Sequence, residues 1–266
     1  MTAPTLQPVI VGAGPAGIRA AQTLVAHGVR PTVIDEAARS GGQIYRRPPA
    51  HFARSAQTLY GTEASRATAL HSTFDGLRAH IDYQPDSLVW NAQGGMLDVL
   101  HGPTQTTRTV PYGQLIVTSG ATDRVLPVPG WTLPGVYTLG GAQVALKFQG
   151  CTIGRNVVLM GTGPLLYLVA YQYAKAGTTV TAVLDTARFT DQLAALPGML
   201  TQPTVLAKGL YYVAWLRAHG VAMHTGARPV RVEGSMEGDM RVNAVVWNDG
   251  QAEHTVPCDA VGFGYA

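Results

Sequence analysis

The sequence predicts an α/β fold built from two Rossmann-like, dinucleotide-binding domains with a small β-meander. Two observations carry this prediction. A glycine-rich loop joins a short apolar run to a helical pattern near the N-terminus, and the same order of run, loop and helix returns in the second half of the chain. Elsewhere, short runs rich in Val, Ile and Leu alternate with Gly and Pro, which is typical of buried strands and turns.

The first of these units begins with a β-branched run. Val9 to Val11 predicts a buried parallel strand, and Ile18 to His27 carries apolar residues at helical spacing. Thr32 to Ile34 predicts a second strand, which ends at two acids, Asp35 and Glu36. This order of strand, loop, helix, strand and acid is typical of a dinucleotide site.

The glycines of the loop between strand and helix each have a physical task. Gly12 makes the tight turn, Gly14 lets the backbone approach a pyrophosphate, and Gly17 lets the helix pack close to the strand. Phosphates then lie at the helix N-terminus, where the helix dipole favours negative charge. Asp35 lies at the sequence distance expected of an acid that binds a ribose hydroxyl, and Glu36 competes for that role. The alternative is a glycine-rich turn without a ligand.

A second glycine-containing loop follows the second strand. Gly41 and Gly42 permit close backbone approach, and Gln43 offers both a donor and an acceptor, which together suit a flavin ring. Arg46 and Arg47 are candidates for neutralising the pyrophosphate or a substrate carboxylate. A solvated pair of arginines is the competing interpretation.

The region after this loop predicts one helical stretch and a meander. His51 to His80 is helical in patches, and its expected core positions are Leu59, Leu70, Phe74 and Leu77. Three runs predict the strands of the meander: Ile81 to Trp90, Met96 to Leu100, and Thr106 to Val110.

The next elements lead to a predicted domain boundary. Gln114 to Thr118 predicts another buried strand, and Ser119 and Gly120 place small residues where a backbone could touch the cofactor. Gly140 to Lys147 predicts a short helix, after which the boundary is expected between Gln149 and Arg155.

The opening pattern repeats from Asn156 onward. Five residues of the first unit, Gly12, Gly14, Pro15, Gly28 and Arg39, align with Gly161, Gly163, Pro164, Gly177 and Arg188. Gly17 aligns instead with Leu166, so the second loop is either a weakened nucleotide site or a structural remnant. Asp185 follows the strand from Thr179 to Leu184 and would favour NAD, whereas Arg188 leaves NADP open.

The remainder predicts a second sheet. Leu210 to His219 is expected to be helical, and four runs predict strands: Val221 to His224, Val230 to Val232, Ala244 to Trp247, and Ala260 to Phe263.

The overall composition excludes several classes of function. Among 266 residues the formal charge of +3 and the absence of a Lys and Arg cluster argue against nucleic acid. Charged residues make up 13%, below the ~25% typical of soluble domains, which leaves surface for a partner. Met1 to Pro4 lacks the features of a secretory signal, so a cytoplasmic protein is expected. Asn156 to Ala174 is uncharged, but Gly161 to Pro164 divides it into strand and helix rather than a membrane span.

Reactive side chains are few. Cys151 and Cys258 are expected to be buried free thiols, and the histidines have no spacing typical of a metal site. Flavin chemistry requires no catalytic triad, and we name no catalytic residue. Lys147 and Arg46 are the ionic residues that are candidates for contact with flavin or substrate, with an ordinary surface charge as the alternative for each.

With both loops in place, the sequence resembles the two-dinucleotide-domain flavoproteins, in which a nicotinamide-type domain is inserted into an FAD domain. A narrower resemblance rests on Gly41 to Arg46, Pro129 to Val136, Gly140 to Gln143, and Gly163 to Leu166. These strings are similar to those of the FAD-binding subunits of opine oxidases, hydroxyproline dehydrogenases and hydrogen cyanide synthase. The resemblance implies an FAD-dependent oxidoreductase subunit that passes electrons in the oxidation of a secondary amine or amino acid, with sister subunits.

The resemblance also implies roles for single residues. The pyrophosphate would lie against Gly12, Gly14, Pro15 and Ala16, beside the close-packing Gly17. Asp35 would bind the ribose, with Glu36 as its competitor, and Gly41, Gly42 and Gln43 would lie near the ribityl chain or ring. Val89 would face the adenine, and Ser119 and Gly120 would flank the cofactor. At the second site, NAD(P) or another adenine nucleotide would meet Gly161, Gly163, Pro164 and Asp185.

The predicted domains are residues 1–148, the FAD-binding domain, and residues 149–266, the NAD(P)-type domain. The resembling proteins return to the FAD domain after the second domain, so the C-terminal part of the first domain is expected to be missing from this chain. Two other functions stay open: an NAD(P)H-dependent flavoprotein reductase, which Leu166 argues against, and a non-catalytic nucleotide-binding or assembly module.

Overall fold

The computed structural model describes residues 6–49, 55–234 and 241–265. The N-terminal residues Met1 to Pro4, the start of the predicted helical stretch at His51, and Ala266 lie outside these ranges. The chain forms two compact units, Met1–Ala121 and Thr122–Ala266. The units divide earlier than the boundary predicted after residue 148, because the segment that follows Ala121 contributes a strand to the second sheet.

The first unit contains seven strands and three α-helices among its described residues. Its strands are β1 (Val9–Val11), β2 (Thr32–Ile34), β3 (Asp82–Gln84), β4 (Ser87–Gln93), β5 (Met96–His101), β6 (Thr106–Pro111) and β7 (Leu115–Val117). Its α-helices are α1 (Pro15–Ala26), α2 (Ala56–Tyr60) and α3 (Ala64–Leu77). Four strands form a parallel sheet in the order β3-β2-β1-β7, and β4, β5 and β6 form an antiparallel meander. The run from Ile81 to Trp90, which was predicted to belong to the meander, is divided: Asp82–Gln84 pairs with β2 in the parallel sheet, and Ser87–Gln93 joins the meander.

The core of the first unit lies between this sheet and its helices. Ile10 and Val33 project from the sheet onto Ile18 of α1 and onto α3. All four core positions predicted in the helical stretch are buried: Leu59, Leu70, Phe74 and Leu77. On the other side of the sheet, Val9 and Ile34 pack against Leu97 and Val99 of the meander. Burial on both faces explains why the strands of this sheet are continuous apolar runs.

The second unit repeats the architecture with a larger sheet. Its strands are β8 (Val136–Thr138), β9 (Asn156–Thr162), β10 (Thr179–Asp185), β11 (Ala222–Thr225), β12 (Arg228–Gly234), β13 (Val242–Asn248), β14 (Glu253–Pro257) and β15 (Ala260–Tyr265). Its α-helices are α4 (Leu139–Val144), α5 (Pro164–Lys175), α6 (Phe189–Leu200) and α7 (Pro203–Ala218). Five strands form a parallel sheet in the order β11-β10-β9-β15-β8, and β12, β13 and β14 form a second meander.

Several elements of the second unit differ from the sequence predictions. The strands β8 and β14 and the helix α6 were not predicted, and α7 begins at Pro203 rather than at Leu210. Pro197 lies inside α6, so the Pro-Gly pair there has the sequence pattern of a helix end although the helix continues. The strand β8 has only three residues, which is too few for a recognisable sequence pattern. Its pairing with β15 identifies it as a strand.

One prediction about side-chain burial in this unit is wrong, and one alternative is excluded. Cys258 is a buried free thiol as predicted, but Cys151 is exposed. It follows the left-handed residue Gly150 at the end of a π-helical turn (Ala145–Gln149), which directs the chain into a surface loop. Lys147, in that same turn, is buried rather than at the surface. No helix among the described residues has the length and apolar character needed to cross a membrane.

Candidate functional site

The first glycine loop lies at the carboxyl edge of the parallel sheet, between β1 and α1. Gly12 has φ +105°, and a side chain there would collide with the backbone carbonyl of Thr118. A side chain at Gly17 would collide with the carbonyl oxygen of Gly12. Both tasks predicted for these glycines, a tight turn and close helix packing, are consistent with this geometry.

Thr118, at the end of β7, holds this loop in place. Its hydroxyl group donates to the carbonyl oxygens of Val11, at 2.8 Å, and Gly12, at 2.9 Å. The same hydroxyl oxygen lies 2.7 Å from the position that a Cβ on Gly17 would occupy. The sequence analysis missed this scaffolding role, since only the pairing of β1 with β7 brings Thr118 beside the loop.

The two glycine loops of the first unit meet. A Cβ on Gly42 would lie 2.9 Å from the Cα atom of Gly14, and Gly42 has φ +62°. The Gly41 N–H group donates to the carbonyl oxygen of Ala13 at 2.9 Å. A side chain at Gly42 is therefore excluded where the loops approach, which leaves backbone N–H groups and the N-terminus of α1 along one edge. This cradle fits a pyrophosphate and the adjoining part of FAD.

Asp35 ties the loop to β2. Its carboxylate accepts hydrogen bonds from the N–H of Ala13 and, at 2.7 Å, from the N–H of Ala37. Burial raises the pKa of Asp35, and the two backbone donors oppose this shift. Glu36 is exposed. Asp35 therefore already has hydrogen-bond partners in the loop, whereas Glu36 faces solvent. Both acids stay candidates for binding the ribose.

A cluster of side chains from α2 and α3 anchors the loop that contains Gly41 and Gly42. The ring of His71 lies with Nε2 2.8 Å from the carbonyl oxygen of Tyr45, and the Tyr60 hydroxyl group donates to the carbonyl oxygen of Arg46 at 2.8 Å. Arg47 pairs with Asp75 at 3.0 Å. The competing interpretation of Arg47 as a solvated side chain is therefore wrong, since its side chain binds α3 and is 14% exposed. The sequence analysis did not single out His71, Tyr60 or Asp75.

The remaining predicted residues of the first site lie along the same edge or beside it. Pro15 is the first residue of α1, and Ala16 and Gln43 are exposed. Ser119 and Gly120 follow β7 and are exposed. Val89 lies in β4, where the register of the meander shifts between Val89 and Asn91, and its side chain packs against the core. No described contact joins Val89 directly to the glycine loop.

The second glycine loop has the same position in the second sheet but different packing. A side chain at Gly161 would collide with the backbone of Gly264 in β15. Gly163 precedes α5, and Pro164 is its first residue. Leu166, at the position of the third glycine, is fully buried in the core. This loop therefore makes the tight turn of a nucleotide-binding loop, but the buried Leu166 side chain occupies the position of the third glycine.

The acid of the second unit is held by side chains of its own unit. One oxygen of Asp185 accepts from the Tyr167 hydroxyl group at 2.6 Å and from Gln192 at 3.0 Å, and the other accepts from the N–H of Ala187 at 2.8 Å. Burial and this hydrogen bond raise the pKa of Tyr167. Arg188, the candidate for a 2′-phosphate, pairs with Asp191 at 2.9 Å. Asp185 and Arg188, the two residues expected to distinguish NAD from NADP, therefore already have hydrogen-bond or ion-pair partners within the chain.

Lys147 is the one predicted ionic candidate that lies in the core of its unit. It is 6% exposed, and burial lowers its pKa to about 8. An ammonium group in this environment is closer to neutrality at physiological pH than a surface lysine.

Comparison with known proteins places these features in a family. The model of the family "Pyridine nucleotide-disulphide oxidoreductase" matches residues 6–264. The hydrogen cyanide synthase subunit HcnB of Pseudomonas protegens is 39% identical over 232 residues, which cover 86% of this chain and 49% of that protein. The A subunit of the opine oxidase of Agrobacterium tumefaciens is 37% identical over 262 residues, which cover 95% of this chain and 50% of that protein. The chain thus spans about half the length of these relatives.

Solved structures with the same fold include a thioredoxin reductase of T. acidophilum, with a TM-score of 0.66 and 17% identity over 98% of this chain and 77% of that one. The L-proline dehydrogenase of P. horikoshii gives a TM-score of 0.61 and 16% identity over 98% of this chain and 42% of that one. The predicted α/β fold and the resemblance to opine oxidase and hydrogen cyanide synthase subunits are confirmed. The chain belongs to the pyridine nucleotide-disulphide oxidoreductase family, whose FAD- and NAD(P)-binding fold both of its units share.

Proposed function

We propose that this chain is the FAD-holding part of an oxidoreductase subunit that passes electrons in the oxidation of a secondary amine or amino acid of the opine, hydroxyproline or glycine type. The observation that carries the proposal is the meeting of two glycine loops in the first unit, at Gly14 and Gly42. The similarity to the A subunit of opine oxidase and to HcnB supports the class of substrate.

In this proposal the residues of the first unit bind and orient the cofactor. Gly12, Gly14, Pro15 and Ala16 face its pyrophosphate, and Gly41, Gly42 and Gln43 lie near its ribityl chain or ring. Bound FAD supplies the two-electron chemistry, because its ring accepts a hydride. The chain itself supplies position and electrostatics, with the Thr118 and Asp35 hydrogen bonds fixing the loop before the cofactor arrives.

Sister subunits and a cytoplasmic location complete the proposal. The relatives are named as subunits, and that naming supports an assembly in which another chain oxidises the amine. The functional division into an FAD domain of residues 1–148 and a second domain of residues 149–266 is part of the same proposal.

A reductase that takes electrons from NAD(P)H is the competing function. It would require the second unit to bind the nicotinamide nucleotide through Asp185. The carboxylate of Asp185 already accepts hydrogen bonds from Tyr167, Gln192 and Ala187, so little of its accepting capacity remains for a ribose. The buried Leu166 also counts against this function. A non-catalytic binding module lacks a specific observation in its favour.

An anaerobic spectroscopic experiment separates these functions. The purified chain is loaded with FAD and its absorbance at ~450 nm is followed after addition of NADH, and separately after addition of a candidate amine together with the sister subunit. The proposal expects no bleaching by NADH and bleaching by the amine in the assembled enzyme. Rapid bleaching by NADH alone would establish the reductase instead, and a chain that takes up no FAD would favour the binding module.

A further inference from the structure

The turn of residues 41–45 in the first unit lies between the first glycine loop and helix α3. On one side, the Gly41 N–H group donates to the carbonyl oxygen of Ala13 at 2.9 Å. On the other side, Nε2 of His71 in α3 lies 2.8 Å from the carbonyl oxygen of Tyr45. The Tyr45 N–H group closes the turn by donating to the carbonyl oxygen of Gly41 at 3.3 Å. The imidazole of His71 therefore supports the turn from the side opposite the first loop.

The same imidazole lies beside the glycine pair that meets the first loop. A Cβ on Gly41 would collide with the carbonyl oxygen of Tyr45 and would lie 3.2 Å from Nε2 of His71. The next residue, Gly42, approaches Gly14 of the first loop. The position of the His71 ring is therefore coupled to the conformation of the backbone at the proposed cofactor site.

The partner of His71 determines which ring nitrogen carries the proton. A carbonyl oxygen only accepts hydrogen bonds, so Nε2 must be the donor to Tyr45. Burial lowers the pKa of His71, although its hydrogen bond to Tyr45 opposes this shift. At neutral pH the ring is therefore uncharged and donates from Nε2.

A second helix holds the next peptide group of the chain in the same way. The Tyr60 hydroxyl group of α2 donates to the carbonyl oxygen of Arg46 at 2.8 Å. The rings of Tyr60 and His71 also contact each other edge to face, with centroids 5.8 Å apart. The described residues contain no cis peptide bond, so the N–H group after each held carbonyl points away from the donor that holds it. The two side chains therefore set the orientation of two consecutive peptide groups.

We propose that His71, together with Tyr60, is a positioning residue that holds residues 41–46 in the conformation that binds FAD. This inference rests on the function proposed for the first unit. Without these donors the segment would leave that conformation in a fraction of the free molecules, and the apparent affinity for FAD would fall in proportion. The net contribution of one hydrogen bond sets the size of this loss at about 2–10-fold for each donor.

The first test is the dissociation constant of the whole chain for FAD, measured by titration with flavin fluorescence. His71→Phe keeps a ring but removes the donor and should raise this constant ~5-fold. His71→Gln offers an amide donor at a similar reach and should restore the constant to within ~2-fold of the wild type. His80→Phe, at an exposed histidine of the same unit, is the matched control and should leave the constant unchanged.

A second measurement distinguishes positioning from a general loss of stability. In the chain without FAD, His71→Phe should accelerate backbone hydrogen exchange in residues 41–47 and leave exchange in β1 and β2 as in the wild type. Tyr60→Phe loses a single oxygen atom, so it covers the case in which His71→Phe does not fold. It should produce the same local acceleration and weaken FAD binding ~3-fold.

The possible failures can be told apart. A wild-type chain that takes up no FAD overturns the proposed function, and this role with it. A wild-type chain that binds FAD, with unchanged dissociation constants in His71→Phe and Tyr60→Phe, overturns the role of these two residues alone. His71→Gln binding as weakly as His71→Phe overturns it too, because the donor would then not determine affinity. Faster exchange throughout the first unit overturns it in favour of a general stabilising role.

Discussion

At the scale of single residues, the glycine loop of the first unit shows how absence of a side chain builds a site. Gly17 and Gly12 leave room that backbone atoms and the Thr118 hydroxyl group fill, so their role is structural. Gly14 differs, since the nearest atom to a Cβ placed there is the Cα of Gly42 at 3.6 Å, an ordinary contact. The space at Gly14 is thus not needed by the protein itself and is available to the pyrophosphate.

This difference predicts opposite outcomes for two alanine substitutions. Gly14→Ala should leave the free energy of unfolding within about 0.5 kcal/mol of the wild type but weaken FAD binding at least ~10-fold, because the methyl group occupies the pyrophosphate's place. Gly17→Ala should destabilise the first unit by about 3 kcal/mol or more, because its methyl group collides with the Gly12 carbonyl oxygen. Urea unfolding and FAD titration by flavin fluorescence measure the two effects. Equal FAD affinity for Gly14→Ala and wild type would contradict the assigned role of Gly14.

Lys147 predicts a pH dependence of the stability of the second unit. Burial lowers its pKa from 10.5 to about 8, so the folded state binds fewer protons than the unfolded state between these two pH values. The free energy of unfolding should therefore rise with pH in this window, by about 2 kcal/mol between pH 8 and 9.5.

The variant Lys147→Met isolates this contribution. Urea unfolding of the wild type and the variant is compared at pH 7, 8, 9 and 9.5, and the difference between the two proteins should shrink as pH rises. Other groups titrate equally in both proteins, so they cancel in the comparison. A difference that is constant over the range would show that Lys147 is not buried as an ammonium group.

At the scale of elements, the two glycine units show which features follow from sequence pattern. The apolar runs at β1, β9 and β10 and the amphipathic helices after the loops are encoded locally, by spacing alone, and were predicted. The roles of Thr118, His71 and Tyr167 depend on neighbours far along the chain, which pairing of β1 with β7 and packing of helices bring close. The sequence contains no local signal for such partners.

The hydrogen bond from Tyr167 to Asp185 connects helix α5 to the end of strand β10, and we expect it to stabilise the second unit. Tyr167→Phe removes a donor from a carboxylate that is 3% exposed, so the second unit should lose about 1–3 kcal/mol of stability. Tyr137→Phe, at a tyrosine that is 39% exposed in the same unit, is the control and should change stability by less than about 0.5 kcal/mol. Thermal unfolding followed by circular dichroism compares them. Equal midpoints for both variants would show that the Asp185 cluster adds nothing to the packing of α5.

At the scale of the whole molecule, one architecture occurs twice with different consequences. Each unit has a parallel sheet, a glycine loop and a meander. In each unit an acid also stands at the end of the strand that follows the helix after the loop. In the first unit two glycine loops meet without side chains between them, whereas in the second unit the buried Leu166 stands at the position of the third glycine and Tyr167 binds the acid. We therefore propose that the first unit holds FAD and that its glycine loop contacts the pyrophosphate.

Hydrogen exchange of backbone amides, followed by mass spectrometry with and without FAD, tests that claim most directly. Bound FAD should slow exchange in residues 12–17, 41–47 and 118–120 of the first unit and leave residues 161–166 of the second unchanged. Gly14→Ala should abolish the protection at the same FAD concentration. Protection that appears at residues 161–166 while residues 12–17 exchange as in the free protein would contradict the claim.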